Sequence, residues 1–418
     1  VRILFSAIAA HGHCFPLLPL AAAAREAEHE VVVATGVELR AAVHAAGAEF
    51  VEAGLPVFDA LEAVVSRDDR LETDDPAILG DPAIPGGLPA QQRDRVVGQL
   101  FGCVLPRRFV SDIRTLLCSR RFDLVVYETG NPGAALAAEL EGVPAVRHGF
   151  GRELAGGFTA AFGAPLLELA DELGVSAPAD DLGTLGNTYL DVFPSSLQDP
   201  AVFALPRRID IRASPFAESG ELPEAVTARP RDRPLVYLTL GTAFGSADVL
   251  RTTARAIAEF DVDLLVSTGP RVRTETLQGL PDNVTVGSWF PQAHLIPRLD
   301  LAVHHGGAGT TLTAFAAAVP QLLLSQGADQ FDNAASVVTA GAGRSIMSED
   351  DHGHGCHGGG GVARRFGRGA GGALPGGRNG RGAGFRRCGG TTFRDVRLSR
   401  AETSRFGSVR TRRRDEPV

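Results

Sequence analysis

Between Leu299 and Asn333 the chain reads LDLAVHHGGAGTTLTAFAAAVPQLLLSQGADQFDN, an order of residue types that admits few architectures. A short apolar stretch, Leu301 to Val303, has the character of a buried strand. Two histidines follow, then Gly306-Gly307-Ala308-Gly309 and Thr310-Thr311. From Ala308 to Ala318 the residues are small or apolar and suit a helix. A strand that passes through a glycine-rich turn into a helix aims free N–H groups and the positive end of the helix dipole at one point, which makes an anion site. Glycines let a ligand's oxygens come close to the backbone. His305 and Thr310 add side-chain donors. A second strand, Gln321 to Ser325, leads to Asp329-Gln330, whose carboxylate and amide suit sugar hydroxyls. Phosphates and hydroxyls at neighbouring strand ends imply a nucleotide sugar.

The same grammar runs through the rest of the chain. Arg2 to Ala7 reads as a strand, and AAHGHCFPLLPLAAAAREAEHE as a turn and an Ala/Leu-rich helix. Val31 to Thr35 is a second strand, with a helix around Val37 to Ala46. Strand, helix and strand at this spacing are the signature of a parallel sheet. Phe122 to Tyr127 is a further strand, ending at Glu128; Pro132 to Leu140 is a helix and Pro144 to Val146 a strand. Residues 52–100, rich in Asp, Pro and Gly, are expected to be loops walling an acceptor side, and Gln91 to Cys118 one or two helices. Gly151 to Leu173 reads as helix or loop, and Asn187 to Phe203 and Ile209 to Pro223 as strand and loop.

Pro and charge concentrate in ELPEAVTARPRDRP, Glu221 to Pro234, which marks a linker. The pattern then restarts: strand Leu235 to Leu240, turn Gly241-Thr242, helix Ala247 to Glu259, strands Leu264 to Ser267 and Val284 to Val286. The expected organisation is α/β: an N-terminal domain over 1–220, a second βαβ domain over 234–350, and a tail over 351–418. Ligands of open parallel sheets sit at the carboxyl ends of strands, and the polar clusters fall there.

At 418 residues two domains are affordable. No apolar run approaches the ~20 residues needed to cross a bilayer. The chain opens on VRILF with no basic n-region, so no secretory leader is expected and a cytoplasmic location is. The five cysteines are odd in number and scattered, as free thiols in a reducing compartment would be. The net charge of −8 is uneven: residues 351–418 carry 15 Arg against 5 acids, and the body is strongly acidic, which argues against a nucleic-acid partner. All 41 basic residues are Arg, a sign of a GC-rich gene. The last 68 residues hold 18 Gly and show no helical or strand period. Such a segment cannot bury enough apolar surface to order itself. Gly and Arg are also what GC-rich coding sequence yields out of frame, so the tail is expected to be disordered or a frame error. His352, His354, Cys356 and His357 lie close together, but no second ligand cluster accompanies them and no metal site is expected.

Four segments, HGHCFPLLPLA, LVYLTLGT, VTVGSWFPQ and HHGGAGTTLTAFAAAVPQLLLSQGADQFDNA, occur in order over roughly residues 1–350. They resemble the nucleotide-sugar glycosyltransferases of GT-B fold, two Rossmann-like domains across a cleft, and above all the bacterial natural-product (antibiotic) group. The resemblance implies that His13, three residues ahead of Pro16, is the general base. A neutral imidazole in reach of an acceptor hydroxyl can take its proton as the oxygen attacks the anomeric carbon. His11 is the runner-up, better suited to a wall. Glu128, where plant relatives usually carry Asp, would orient the base and stabilise its imidazolium. On the donor side Trp289 would stack on the nucleobase, with Gln292 beside it, and Thr242 would meet the diphosphate. His305 and the N–H groups of Gly307, Ala308, Gly309 and Thr310 would stabilise the leaving diphosphate in place of a metal. Asp329 and Gln330 would hold the sugar. One departure is local: the first helix of this family usually ends in Gly, and Glu28-His29 stand here.

The reaction implied is inverting transfer of a (deoxy)sugar from an NDP-sugar, dTDP by preference, to a hydroxyl of a polyketide-like aglycone. It needs no cofactor; the partners are the aglycone and the NDP-sugar, with no nucleic acid, and the protein would be a monomer or homodimer. Two other readings share these residues: an NDP-sugar epimerase on the same fold, and a catalytically silent partner of an active transferase.

Overall fold

A computed structural model describes residues 1–66, 90–153, 158–176, 184–216, 220–228, 233–243 and 245–346. These residues form two wholly parallel sheets. The first comprises β1 (Arg2–Ser6), β2 (Glu30–Thr35), β3 (Glu49–Glu52), β4 (Leu124–Glu128), β5 (Ala145–His148), β6 (Thr188–Asp191) and β7 (Arg208–Asp210), in the order β3-β2-β1-β4-β5-β6-β7. The second comprises β8 (Leu235–Thr239), β9 (Asp263–Ser267), β10 (Val284–Gly287), β11 (Leu301–His304), β12 (Gln321–Leu323) and β13 (Gly343–Ser345), in the order β10-β9-β8-β11-β12-β13.

Side chains alternate across a strand, so a sheet covered on both faces needs apolar residues at every position. In β1, Ile3 and Phe5 pack with Leu18, Ala21 and Val43 on one face, while Leu4 packs with Leu61, Phe109 and Ile113 on the other. In β8, Val236 and Leu238 meet Leu250, Ala254 and Ile257 of the helix Ala247–Ala258, and Leu235 and Tyr237 meet Leu295, Ile296 and Ala314. Both sheets are thus doubly wound. Strand order reverses between β1 and β4 in the first and between β8 and β11 in the second. Each reversal opens a crevice beyond the strand ends, because successive crossovers leave in opposite directions.

The structure departs from the sequence reading in instructive places. Residues 52–100 are not all loop: Val57–Val65 is a helix that buries Ala60, Leu61, Val64 and Val65, a helical spacing that the surrounding Asp and Pro obscured. β3 and β13 escape the pattern because they are edge strands of four and three residues, EFVE and GRS, with little apolar content. The helix expected to run to Ala318 stops at Ala316. Ala318 turns left-handed at φ 55, and Val319 stands before Pro320, which disfavours helical geometry there. The Gly/Arg-rich tail and its histidines lie outside the described residues.

The Glu28-His29 departure has a structural consequence. After the helix Leu18–Glu26, His29 N–H donates to the Ala24 carbonyl at 3.1 Å and Glu28 N–H to that of Arg25 at 2.9 Å. This is a Schellman closure, and its left-handed position, φ 63, is occupied by exposed Glu28 rather than glycine. A non-glycine residue there costs about 1–2 kcal/mol, partly offset by the entropy a glycine loses on folding. Glu28→Gly is therefore expected to stabilise the first domain by about 0.5–1 kcal/mol, read as a rise of about 2 °C in its thermal midpoint. An unchanged or lower midpoint would count against this account.

Candidate active site

Beyond β1 the chain makes a short loop and the helical turn His11–Cys14. Cys14 is fully buried in the core and fixes that turn, so His13 projects into the crevice. Across the reversal, β4 ends in Glu128, which has no exposed surface. His13 Nδ1 lies 2.9 Å from Glu128 Oε2. The same carboxylate accepts the Gly130 N–H at 2.5 Å and the Ile8 N–H at 3.2 Å. With its oxygens committed as acceptors, Glu128 requires the proton of His13 on Nδ1 and leaves Nε2 with its lone pair free.

Burial is the largest influence on His13 and opposes its charge. The charge of Glu128 and its hydrogen bond, with Asp329 adding to them, together outweigh burial, and the pKa stands above the ordinary 6.5. His11 differs: burial dominates over a weak pull from Glu38 and lowers its pKa. Its ring packs on Phe15 and, at 5.5 Å, on Trp289 of the second domain. The geometry therefore gives the carboxylate to His13 and makes His11 a wall.

Two contributors to this dyad were not singled out in the sequence. A Cβ on Gly130 would sit 3.0 Å from His13 Cε1 and Nδ1 and 3.2 Å from Glu128 Oε1, so a larger residue would press on both partners. Phe150 lays its ring 4.4 Å from that of His13. A glycine two residues after a strand-end acid is a signal that could have been found. Phe150 offers none, because its contact joins segments far apart in the chain.

On the second domain, Gly307 precedes the helix Ala308–Ala316, and the Thr311 N–H is the first to find its acceptor, the Gly307 carbonyl at 3.1 Å. The N–H groups of Ala308, Gly309 and Thr310 have no intrahelical acceptor, as at every helix start. A Cβ on Gly309 would meet nothing within 4 Å, so the approach to them is open. The Thr310 hydroxyl does not join them: it donates to Gln292 Oε1 at 3.1 Å, and Gln292 Nε2 donates to the Tyr237 hydroxyl at 3.2 Å. The Thr310 hydroxyl, expected as a side-chain donor to an anion, is engaged by Gln292 in this structure.

His305 fits between Gly241 and Gly307, where a Cβ on either would clash with its ring. Burial, with His304 nearby, depresses its pKa to about 3, so it is a neutral imidazole. Its neighbour His304 is buried and structural: Nε2 bonds Gln321 Oε1 at 2.9 Å while Nδ1 accepts the Gly306 N–H at 3.1 Å. Asn333, also missed in the sequence, donates to the Gly306 carbonyl at 2.9 Å and to Asp329 Oδ2 at 2.8 Å, tying the glycine turn to the acid.

Asp329 is half-buried. Burial raises its pKa, opposed by the Asn333 hydrogen bond and by His13 across the cleft. Gln330 is buried, and its Oε1 accepts the N–H groups of Gln326 at 2.8 Å and Gly327 at 3.2 Å, which holds its own loop. Thr242 follows the left-handed Gly241 at the end of β8. Trp289 is 37% exposed at the mouth of the cleft. Among the described residues no group of three or more His, Cys, Asp or Glu could hold a metal ion, and no helix is long and apolar enough to cross a membrane.

The arrangement matches known proteins over most of its length. Residues 22–241 match the N-terminal domain, and residues 251–355 the C-terminal domain, of the erythromycin biosynthesis protein CIII-like family. The chain is 31% identical to the L-demethylnoviosyl transferase of Streptomyces niveus over 84% of this chain and 86% of that one. It is 32% identical to the elloramycin glycosyltransferase ElmGT of Streptomyces olivaceus, over 84% and 87%. Its fold superposes on the glycosyltransferase SsfS6 of Streptomyces sp. SF2575 with a TM-score of 0.64 at 26% identity, covering 87% of this chain and 94% of that one. The latter is also known in complex with thymidine diphosphate. The two sheets, the cleft between them and these similarities together show that the chain belongs to the erythromycin biosynthesis protein CIII-like family, the bacterial natural-product glycosyltransferases of GT-B fold.

Proposed function

We propose that this glycosyltransferase moves a sugar, with inversion, from a dTDP-activated donor to a hydroxyl of a polyketide-like aglycone. The observation that carries the reading is the His13–Glu128 pair, with Asp329 of the other domain close enough to influence the His13 charge. A relative solved with thymidine diphosphate supports the choice of nucleotide.

In this reading His13 Nε2 takes the acceptor's proton while the acceptor oxygen bonds to the anomeric carbon. The bond from that carbon to the β-phosphate oxygen breaks on the opposite face, and the electron pair leaves with the nucleoside diphosphate. Glu128 stabilises the imidazolium. The N–H groups of Ala308, Gly309 and Thr310, with neutral His305 and the Thr242 hydroxyl, receive the growing phosphate charge. Trp289 lies under the base, and Asp329 takes sugar hydroxyls. Gln292 and Gln330 serve the donor indirectly, by orienting Thr310 and the Gln326-Gly327 loop. No step is assigned to a metal, and the enzyme acts in the cytoplasm.

With purified full-length protein and a panel of dTDP-sugars and aglycones, the product carries the anomeric configuration opposite to the donor's. His13→Ala lowers kcat by about 10²–10⁴-fold; undiminished glycoside formation would refute the base assignment. Excess chelator leaves the rate unchanged, and a loss restored by a divalent ion would assign a metal a part.

The base must be neutral, and its pKa is raised, so kcat/KM climbs as pH rises through an apparent value above 6.5. Glu128→Gln removes the two larger influences that raise it and leaves the smaller pull of Asp329 against burial, which lowers it. The rise then moves to lower pH while the plateau falls. A limb that stays in place in that variant would mean that another group titrates.

A further inference from the structure

The segment Gly149 to Glu153 leaves the first sheet after β5 and touches both halves of the cleft. Phe150 packs on His13. Gly151 lies against Ala308 at the start of the glycine-turn helix, so closely that a Cβ on it would meet the Ala308 Cβ at 2.6 Å. Arg152 Nη1 stands 3.8 Å from Asp332 Oδ1, on the second domain's helix Gln330–Thr339. On its own side Arg152 donates to the Leu197 carbonyl at 3.2 Å and to Asp199 Oδ2 at 3.3 Å. The segment is anchored behind by a buried ion pair, in which Arg147 Nη2 bonds both Glu153 oxygens at 2.9 and 2.8 Å, and by the Gln198 side chain on the Glu153 N–H at 2.9 Å.

Arg152 therefore stands between two carboxylates, one from each domain. Burial raises the pKa of Asp332, Arg152 lowers it and Asp199 raises it, so each acid lies within electrostatic reach of the other. Without that cation the domains would face each other with like charges at this seam. The anchored segment carries the Phe150 ring against His13, so what seats the seam also seats that imidazole.

We propose that Arg152 is a positioning residue that clamps the two domains together by neutralising Asp199 and Asp332, and so sets His13 opposite the donor helix. The proposal rests on the transferase reading for the role of His13, but its test need not. The chain has a single tryptophan, Trp289, which packs across the cleft on His11, so its fluorescence reports closure.

In the full chain without added ligand, Arg152→Ala is expected to red-shift Trp289 emission and raise its quenching by acrylamide. In the wild type the same change appears only as salt is added, since screening weakens a half-exposed pair. kcat/KM falls about tenfold, as a small misplacement of a reacting group can cause. Adding Asp332→Asn to Arg152→Ala removes the repulsion and restores part of both signals, which loss of a merely structural arginine would not allow. Asp332→Asn alone, which keeps the buried anchor intact, removes most of the salt dependence. Wild-type emission and salt response in Arg152→Ala, or no recovery in the double variant, overturns the proposal. Neither result bears on whether glycosides form, which the His13→Ala experiment decides.

Discussion

A carboxylate with no exposed surface ends the central strand β4 of the first sheet, and the acceptor half of the cleft is built around what that burial demands. An unpaired buried charge is among the costliest features a fold can carry. Glu128 escapes the cost because the loop after β1 lends the Ile8 N–H and the turn after β4 lends the Gly130 N–H. Both donors exist only where the strand order reverses, since that is where these two loops come together. Once they hold the carboxylate, the imidazole of His13 has one place to bond and one tautomer to adopt. The base is thus positioned by the topology through an acid, and Gly130 is small so that the three can meet.

The donor half solves the same problem with neutral groups. Asn333 uses one amide nitrogen to join the Gly306 carbonyl to Asp329, and His304 uses both ring nitrogens to join β12 to the turn. Gln292 links Thr310 to Tyr237 at the floor. Side chains that resemble ligand contacts in the sequence are therefore largely occupied in holding the loops and turns around the start of the helix Ala308–Ala316. Preorganised donors of this kind stabilise developing charge without having to rearrange.

Most of the architecture was legible because it rests on period and order. Apolar strands such as Leu124 to Tyr127 and Leu235 to Leu240 announce themselves, and glycine turns mark where they end. The pairing of His13 with Glu128 was legible only through resemblance, since 115 residues separate them. β3 and β13 were not legible, because an edge strand buries too little to show a hydrophobic pattern. Phe150, Arg152 and Asn333 were hidden for another reason. Their importance lies in contacts between segments remote in sequence, and nothing in their local surroundings distinguishes them from ordinary loop or helix residues. The partner of the Thr310 hydroxyl was hidden in the same way, since Gln292 lies on another element.

Each reversal point carries a histidine, one beyond β1 and the other beyond β11, the counterpart of β4, and the protein gives them opposite character. Both rings are taken out of water, which by itself favours the neutral form. His13 has a carboxylate at hydrogen-bond distance, and its pKa rises. His305 has instead another imidazole nearby and two glycines closing on its ring, and its pKa falls to about 3. The fold supplies two similar addresses, and the residue next to each histidine decides which chemistry it can perform. That asymmetry leaves an imidazole with a raised pKa on the side of the first sheet and a neutral one on the side of the second.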